Sequence, residues 1–251
     1  MKAIILAAGY ATRLYPRTIN YPKALLKINN IPLLSYIVND LNKLPVTNIY
    51  IVTNGLFADY FYEWEKTVNY SVPIEIVNDG TLSEEDKLGA IGDIQFCIKE
   101  KNIQEDTFII AGDTFYNFSL ADFYNFYKKT NSDCVCAEDL SGDVDLSRFA
   151  VALPDSDNII RELEEKPLHP KSNTVVYAIY IYKKSTMALF DEYLKENNNA
   201  DAPGYFLQWL YQKKQVFAYK IQDRCFDIGT EAGYNLVNDL IMSGLLKKEY
   251  P

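Results

Sequence analysis

Near the amino terminus an apolar run, Ala3 to Ala8, stops at Gly9. A loop follows that carries Thr12, Arg13 and Arg17, and then Pro22-Lys23. An unbroken apolar run of this length reads as a strand buried on both faces. Small residues just beyond it let backbone N–H groups approach a phosphate, and the cations hold its charge. The segment therefore reads as a strand feeding a phosphate-binding loop. Its spacing is neither the P-loop pattern Gly-x4-Gly-Lys-[Ser/Thr] nor the dinucleotide pattern Gly-x-Gly-x-x-Gly.

Strand-like and helix-like segments alternate from there. Strands are predicted at Ile4–Ala8, Asn48–Thr53, Ile74–Val77 and Phe108–Ala111. Helices are predicted at Leu33–Leu44, Leu56–Lys66, Gly89–Lys99 and Leu120–Lys128. In the first of these helices, apolar residues at 33, 34, 37, 38, 41 and 44 keep helical spacing. This order predicts an α/β fold whose sheet is mainly parallel and covered by helices on both faces. Ligands of such sheets bind at the carboxyl ends of the strands. Gly9–Arg17 and Gly112-Asp113 both follow strands, so both can face one crevice. The second half is richer in strands: Asp133–Ala137, Phe149–Leu153, Ile159–Leu163, Val175–Tyr182 and Val216–Ile221. Helices are expected there at Lys184–Lys195, Gly204–Lys213 and Thr230–Ser243. No Pro/Gly-rich linker separates the halves, so residues 1–251 read as one domain with an inserted or appended substrate lobe.

Composition narrows the function. The chain is 48% hydrophobic and 24% charged, which excludes disorder and coiled coil as its main state. A net charge of −9 without a long basic run argues against a nucleic-acid partner. No apolar stretch approaches the ~20 residues of a membrane span, and no secretory cleavage pattern follows the first strand. Cys97, Cys134, Cys136 and Cys225 are scattered, and Cys134-x-Cys136 lacks a second pair at zinc spacing. They read as reduced packing residues of a cytoplasmic protein. The chain has one histidine, His169, between Leu168 and Pro170 in a predicted loop. Ser-His-Asp and Cys-His mechanisms are thereby disfavoured, and any catalysis must manage without a histidine base.

The amino-terminal stretch resembles the signature of the sugar-1-phosphate nucleotidyltransferases, which include glucose-1-phosphate thymidylyl- and uridylyltransferases. Leu6, Ala7, Gly9, Thr12, Arg13, Leu14, Pro16, Thr18, Pro22 and Lys23 match the family pattern Leu-Ala-x-Gly-x-Gly-Thr-Arg-Leu-x-Pro-Leu-Thr and its Pro-Lys. Ala11 stands where the family usually has Gly, and Arg17 where it usually has Leu. Ala tolerates less backbone freedom than Gly, so an ordinary φ is expected at Ala11. The resemblance covers the chain to about Leu240. It implies a Rossmann-like mixed sheet, with about 1–130 as the nucleotide-binding part and about 131–251 as the sugar-phosphate-binding part. It also implies that Leu6, Ala8, Gly9, Tyr10, Ala11 and Thr12 line the nucleotide, with Arg13 and Lys23 as the catalytic cations on its phosphates.

Further motifs fall in the family's order. Ala111-Gly112-Asp113 follows a buried strand, and the family's Asp there is a magnesium ligand. A carboxylate at a strand's end suits a hard cation, although turn and cap roles for such an Asp are common. Asp227, Gly229 and Thr230 resemble the family's Asp-x-Gly-Thr, which makes Asp227 the second carboxylate on Mg²⁺; Thr230 could equally cap the last helix. Glu164-Glu165-Lys166-Pro167 matches Glu-Glu-Lys-Pro, in which the second Glu bonds sugar hydroxyls and the Lys meets the sugar phosphate. Ala150 sits where the family's Gly lets a backbone N–H reach the sugar, and its methyl narrows that pocket. Gly89 opens a predicted helix whose free N–H groups suit base and phosphates. Asn78 falls near the family's base-reading Gln, but the loop from 78 to 89 is long and the base is not assigned.

The implied reaction joins an NTP and a sugar 1-phosphate into an NDP-sugar and pyrophosphate, with Mg²⁺ as cofactor. The partners are the NTP and a phosphorylated small-molecule acceptor, and the sequence leaves a homo-oligomer open. The nearest alternative is a cytidylyltransferase for phosphocholine or a similar phosphoalcohol, which would favour aromatic and acidic residues around a cationic head group. Glu165-Lys166-Pro167 favours the sugar. A non-catalytic relative that binds nucleotide-sugars as a regulatory module would be expected to lose Arg13, Lys23, Asp113 or Asp227, and all four are present. An NAD-dependent oxidoreductase has the wrong glycine pattern.

Overall fold

The computed structural model describes every residue except Asp143, Glu249 and Pro251, and the side chain of Asp227. In chain order the elements begin with β1 (Lys2–Leu6), β2 (Lys27–Ile28), β3 (Ile31–Pro32), α1 (Leu33–Leu41), β4 (Asn48–Thr53), α2 (Ala58–Thr67) and β5 (Ile74–Asn78). Then come α3 (Ala90–Glu100), β6 (Thr107–Ala111), β7 (Thr114–Tyr116), α4 (Leu120–Thr130), β8 (Asp133–Asp139), β9 (Ala150–Pro154), β10 (Ile160–Glu165) and β11 (Thr174–Tyr182). The chain ends with α5 (Lys184–Met187), α6 (Leu189–Lys195), α7 (Pro203–Leu210), β12 (Val216–Lys220), β13 (Cys225–Asp227) and α8 (Glu231–Met242). They group into two compact units. The first takes Met1–Leu88, Ile110–Phe118 and Asp223–Pro251; the second takes Gly89–Ile109 and Ser119–Gln222.

The first unit is built on parallel ladders. β1 pairs β4 from Lys2↔Asn48 to Leu6↔Val52, and β4 pairs β5 from Ile49↔Ile74 to Thr53↔Asn78. Ala3, Ile4, Ile5, Ile49, Ile51 and Val52 are all buried, without alternation, as a strand covered on both faces requires. Two short antiparallel ribbons went unforeseen, β2 with β3 and β7 with β13. Each strand is only two or three residues long, too short for periodicity to register. The second ribbon packs into a cluster of Ile28, Leu33, Tyr36, Phe115, Ile228, Val237 and Leu246, which seats α8. Thr230 caps that helix: its hydroxyl accepts from the Gly233 N–H at 3.1 Å.

The second unit is mixed. β8 pairs β11 antiparallel and β12 parallel, while β9 pairs β10 and β11 antiparallel. The single helix expected over Lys184–Lys195 is two, α5 and α6, meeting at Ala188. The first is pinned from below by Asp133, wholly buried at the start of β8. Its carboxylate accepts from the Lys183 N–H and the Thr186 hydroxyl, both at 2.7 Å, and pairs with Lys214 Nζ at 3.0 Å. Phe190 of α6 stacks on Phe206 of α7 with ring centroids 3.8 Å apart. All four cysteines are buried and none is in a disulfide, and burial pushes the Cys134 thiol up to about 12. Among the described residues no helix is long and apolar enough to cross a membrane.

The loop after β1 departs from expectation at Ala11. Its φ is +51° and ψ +41°, the left-handed region, not an ordinary φ. Two donors converge on its carbonyl, the Leu14 N–H at 3.0 Å and the Thr18 hydroxyl at 2.8 Å. Together they offset the roughly 1–2 kcal/mol that a left-handed L-residue costs. Ala11→Gly should relieve that strain, less the entropy Gly loses on folding, and raise unfolding free energy by about 0.5–1 kcal/mol. Chemical denaturation measures this, and a loss of stability in the variant would contradict it.

Candidate active site

The first unit gathers its chemistry where β6 ends. Gly112 crosses the end of β1 so closely that its N–H donates to the Leu6 carbonyl at 2.8 Å. A Cβ on Gly112 would lie 2.9 Å from that same oxygen, so only glycine fits. The crossing delivers the next residue, Asp113, to Lys23: Nζ donates to Asp113 Oδ2 at 2.6 Å. The Lys23 side chain is 10% exposed and the Asp113 side chain 39%, so the ammonium is sheltered while the carboxylate faces solvent. The Asp113 carbonyl accepts from the Ile228 N–H at 3.1 Å, and Asp227 lies opposite Thr114 in the β7–β13 ribbon. The backbones of Asp113 and Asp227 are thus held side by side. The Asp227 side chain, expected as a metal ligand, lies outside the described residues.

The other residues expected to line a nucleotide divide into those held through backbone and those held through side chains. Leu6 ends β1, and the Ala8 carbonyl accepts from Asn54 Nδ2 at 2.8 Å. Asn54 Oδ1 in turn accepts from the Phe57 N–H at 2.9 Å. This buried Asn fixes the exit of β1 and was not anticipated; its signal was an Asn directly after the strand Asn48–Thr53. Gly9 and Thr12 are exposed in the loop, and Arg13 is exposed at its turn. Tyr10 turns inward: its ring is 4% exposed and its hydroxyl bonds Thr81 Oγ1 at 3.0 Å. Any contact it makes with a ligand is through its backbone. Arg17 is engaged with α8. Its Nε and Nη2 donate to the Glu231 carboxylate at 2.7–3.1 Å and its guanidinium lies 4.8 Å from the Tyr234 ring. It ties the loop to α8 and holds the Glu231 carboxyl below its ordinary range. Asn78 is exposed, with Oδ1 accepting from the Gly80 N–H at 2.9 Å.

The second unit holds the remaining motifs. Gly89 has φ +77°, and a Cβ there would meet the Ala200 carbonyl at 2.5 Å. The first amides of α3 are not free as the sequence suggested: Ala90 N–H donates to the Asp201 carbonyl and Ile91 N–H to the Ala200 carbonyl. A segment more than a hundred residues away supplies those acceptors, which no local pattern reveals. Glu165 ends β10 opposite Ala150, the first residue of β9. Its side chain is 7% exposed, and burial pushes its carboxyl up; Lys166 opposes that and Asp201 adds to it. Lys166 has φ +52°, its N–H donates to the Phe149 carbonyl at 2.9 Å, and its Nζ lies 3.8 Å from Glu165 Oε1. Among the described residues no group donates a hydrogen bond to the Glu165 carboxylate. His169 is exposed in the loop that follows, as expected.

The geometry can be set beside known proteins. A Sulfolobus acidocaldarius protein with a provisional assignment as mannose-1-phosphate guanyltransferase is 29% identical over 251 residues, all of this chain and 65% of that one. The bifunctional protein GlmU of Methanococcus aeolicus is 31% identical over 192 residues, 76% of this chain and 42% of that one. This chain therefore spans less than two thirds of the length of either relative. A UDP-glucose pyrophosphorylase solved with UDP-glucose shares the fold at a TM-score of 0.82 and 20% identity, covering 97% of this chain and 98% of that one. Residues 2–243, from the first strand through α8, match the family described as nucleotidyl transferase, and the chain belongs to that family.

Proposed function

We propose that the protein is a sugar-1-phosphate nucleotidyltransferase, forming an NDP-sugar and pyrophosphate from an NTP and a sugar 1-phosphate. The observation that carries this reading is the Glu165–Lys166 pair. A desolvated carboxylate without a donor, 3.8 Å from an ammonium, offers an acceptor for hydroxyls beside a cation for phosphate. That chemistry suits a phosphorylated polyol better than a phosphoalcohol with a cationic head. The relatives support the same class, since the names of two of them carry a sugar 1-phosphate or an NDP-sugar.

The attacking phosphate oxygen is already ionised at neutral pH, its second ionisation lying at about 6, so no general base is needed. An exposed, solitary His169 is consistent with that. Lys23 and Arg13 would hold the triphosphate and the departing pyrophosphate, while Lys166 holds the acceptor's phosphate. Asp113 fits a hard cation: a half-exposed carboxylate at a strand end, with Asp227 beside it in the backbone. Among the described residues no cluster of three or more His, Cys, Asp or Glu side chains is assembled for a metal. Mg²⁺ does not require one, because it is commonly bound by one or two carboxylates together with substrate phosphates. When bound there it would neutralise charge on the phosphate oxygens.

The direct test is pyrophosphate release from a matrix of five NTPs against several sugar 1-phosphates and phosphocholine. GTP with mannose 1-phosphate and UTP with glucose 1-phosphate are the first pairs. Turnover with phosphocholine alone would replace the sugar reading; no turnover with any pair would overturn it.

Lys23→Ala should raise the NTP KM or lower kcat, whereas Lys166→Ala should mainly raise the acceptor KM. Each change removes a charge-assisted phosphate contact, an effect of roughly ten- to a hundredfold. Steady-state constants for both substrates check the split, and equal effects of both variants on both substrates would contradict it. Activity should vanish with a chelator and return with Mg²⁺. Asp113→Asn should lower kcat by roughly 10²-fold, as the loss of one electrostatic partner of the phosphates does. Near-normal turnover in that variant would remove Asp113 from the cation site.

A further inference from the structure

Glu165 is an unusual residue to find buried. Its carboxylate has one distant cation and receives no hydrogen bond among the described residues, so packing has to hold it. The packing comes from α7. A Cβ built on Gly204 would fall 1.8 Å from Glu165 Oε2 and 2.7 Å from its Cδ. The carboxylate thus fills the volume that any side chain at 204 would need. The Ala150 methyl lies 3.2 Å from that same point. One turn further along α7, Gln208 Oε1 accepts from the Glu165 N–H at 2.8 Å, fixing the backbone from which the carboxylate hangs. Between them Tyr205 lies under Lys166, with Nζ 6.0 Å from the ring centroid. One short helix therefore meets both members of the pair.

We propose that Gly204 and Gln208 are positioning residues: α7 clamps Glu165 so that its carboxylate is held, desolvated and unsatisfied, ready for hydroxyl donors of the sugar. The identity of those donors rests on the function proposed above; the clamp does not. Gly204 acts by its missing side chain and Gln208 by its carbonyl. Neither need touch substrate. A carboxylate held in place beforehand loses no rotamer freedom on binding, and its bonds to hydroxyls strengthen where water is excluded.

Gly204→Ala tests the clamp. In the second position of a helix Ala is at least as favourable as Gly, so a purely structural role predicts unchanged or higher thermal stability and unchanged kinetics. The clamp predicts instead that the acceptor KM rises roughly ten- to a hundredfold, the cost of a charge-assisted hydrogen bond, while the NTP KM stays within about twofold. In a Glu165→Ala background the same substitution should add nothing, and Gly204→Ala combined with the shorter Glu165→Asp should recover part of the loss. Gln208→Leu should act in the same direction, and Gln208→Glu, which keeps the acceptor oxygen, should act less. A readout independent of turnover is the Glu165 carboxyl titration followed by ¹³C NMR and assigned through Glu165→Gln. Lys166, Asp201 and the buried Tyr180 hydroxyl are the ionisable groups that face this carboxyl. Burial raises its midpoint in the wild type. In Gly204→Ala the carboxylate is expelled to solvent, and the midpoint should fall toward the ordinary value. An unmoved titration with an unmoved acceptor KM would overturn the proposal. A titration that moves in a protein releasing pyrophosphate with no substrate pair would uphold the clamp and overturn the reading of its ligand.

Discussion

The chemistry of the first unit hangs on the 2.8 Å hydrogen bond from the Gly112 amide to the Leu6 carbonyl. It joins Leu6, the last residue of β1, to the residue just after β6. No side chain fits at the crossing, so the chain must run straight through it to Asp113. From there consequences follow in order. The Asp113 carboxylate reaches Lys23, the Asp113 carbonyl anchors Ile228, and the β7–β13 ribbon aligns Asp227 with Thr114. A bulkier residue at 112 would displace all three together.

The Lys23–Asp113 pair keeps two opposite charges in contact at the end of β6. Lys23 is nearly buried, and an ammonium there without a partner would be strongly disfavoured. Asp113 supplies the counter-charge while remaining partly open to solvent. On the proposed function, a triphosphate arriving with its cation offers each member a better partner: phosphate for the lysine and metal for the carboxylate. The ammonium is already sheltered and both groups are held by their mutual contact, so little reorganisation would be required on binding. The buried Glu165 is the complementary case, a carboxylate kept short of donors and held by packing.

How far the sequence could be read depended on how local each cause was. Long periodic segments came through with ends shifted by a few residues; Asn48–Thr53 matched in full and Leu33–Leu44 was overextended by three. Apolar runs found the parallel ladders because burial on both faces leaves no polar positions to confuse the pattern. The two- and three-residue ribbons were invisible because period needs length. The site divided the same way. Asp113, Lys23, Glu165 and Lys166 could be singled out as candidates because their motifs are contiguous. Gly204, Gln208 and Asn54 were missed because what they do depends on partners that the fold brings from elsewhere in the chain. The expected free amides at Ala90 and Ile91 failed for the same reason, since Ala200 and Asp201 had to be brought across the fold to occupy them.

The two departures from the amino-terminal signature prove to be linked by structure. Where the family usually has Gly, Ala11 keeps the left-handed φ that Gly would adopt without strain, and the Thr18 hydroxyl helps to hold it there. Where the family usually has Leu, Arg17 reaches Glu231 with a forked pair and covers Tyr234. Thr18 and Arg17 are neighbours, so one turn of chain holds Ala11 with one side chain and ties itself to α8 with the next. An exposed ion pair alone contributes little, typically up to about 1 kcal/mol. Here the forked geometry and the stacked ring restrict both partners, and the other end of the loop is fixed by Asn54 on Ala8. A loop that has exchanged glycine for alanine in a left-handed position has fewer backbone conformations open to it. What it gives up in ease of folding it gains in definition, which on the proposed function is the useful trade for amides that would face one phosphate chain.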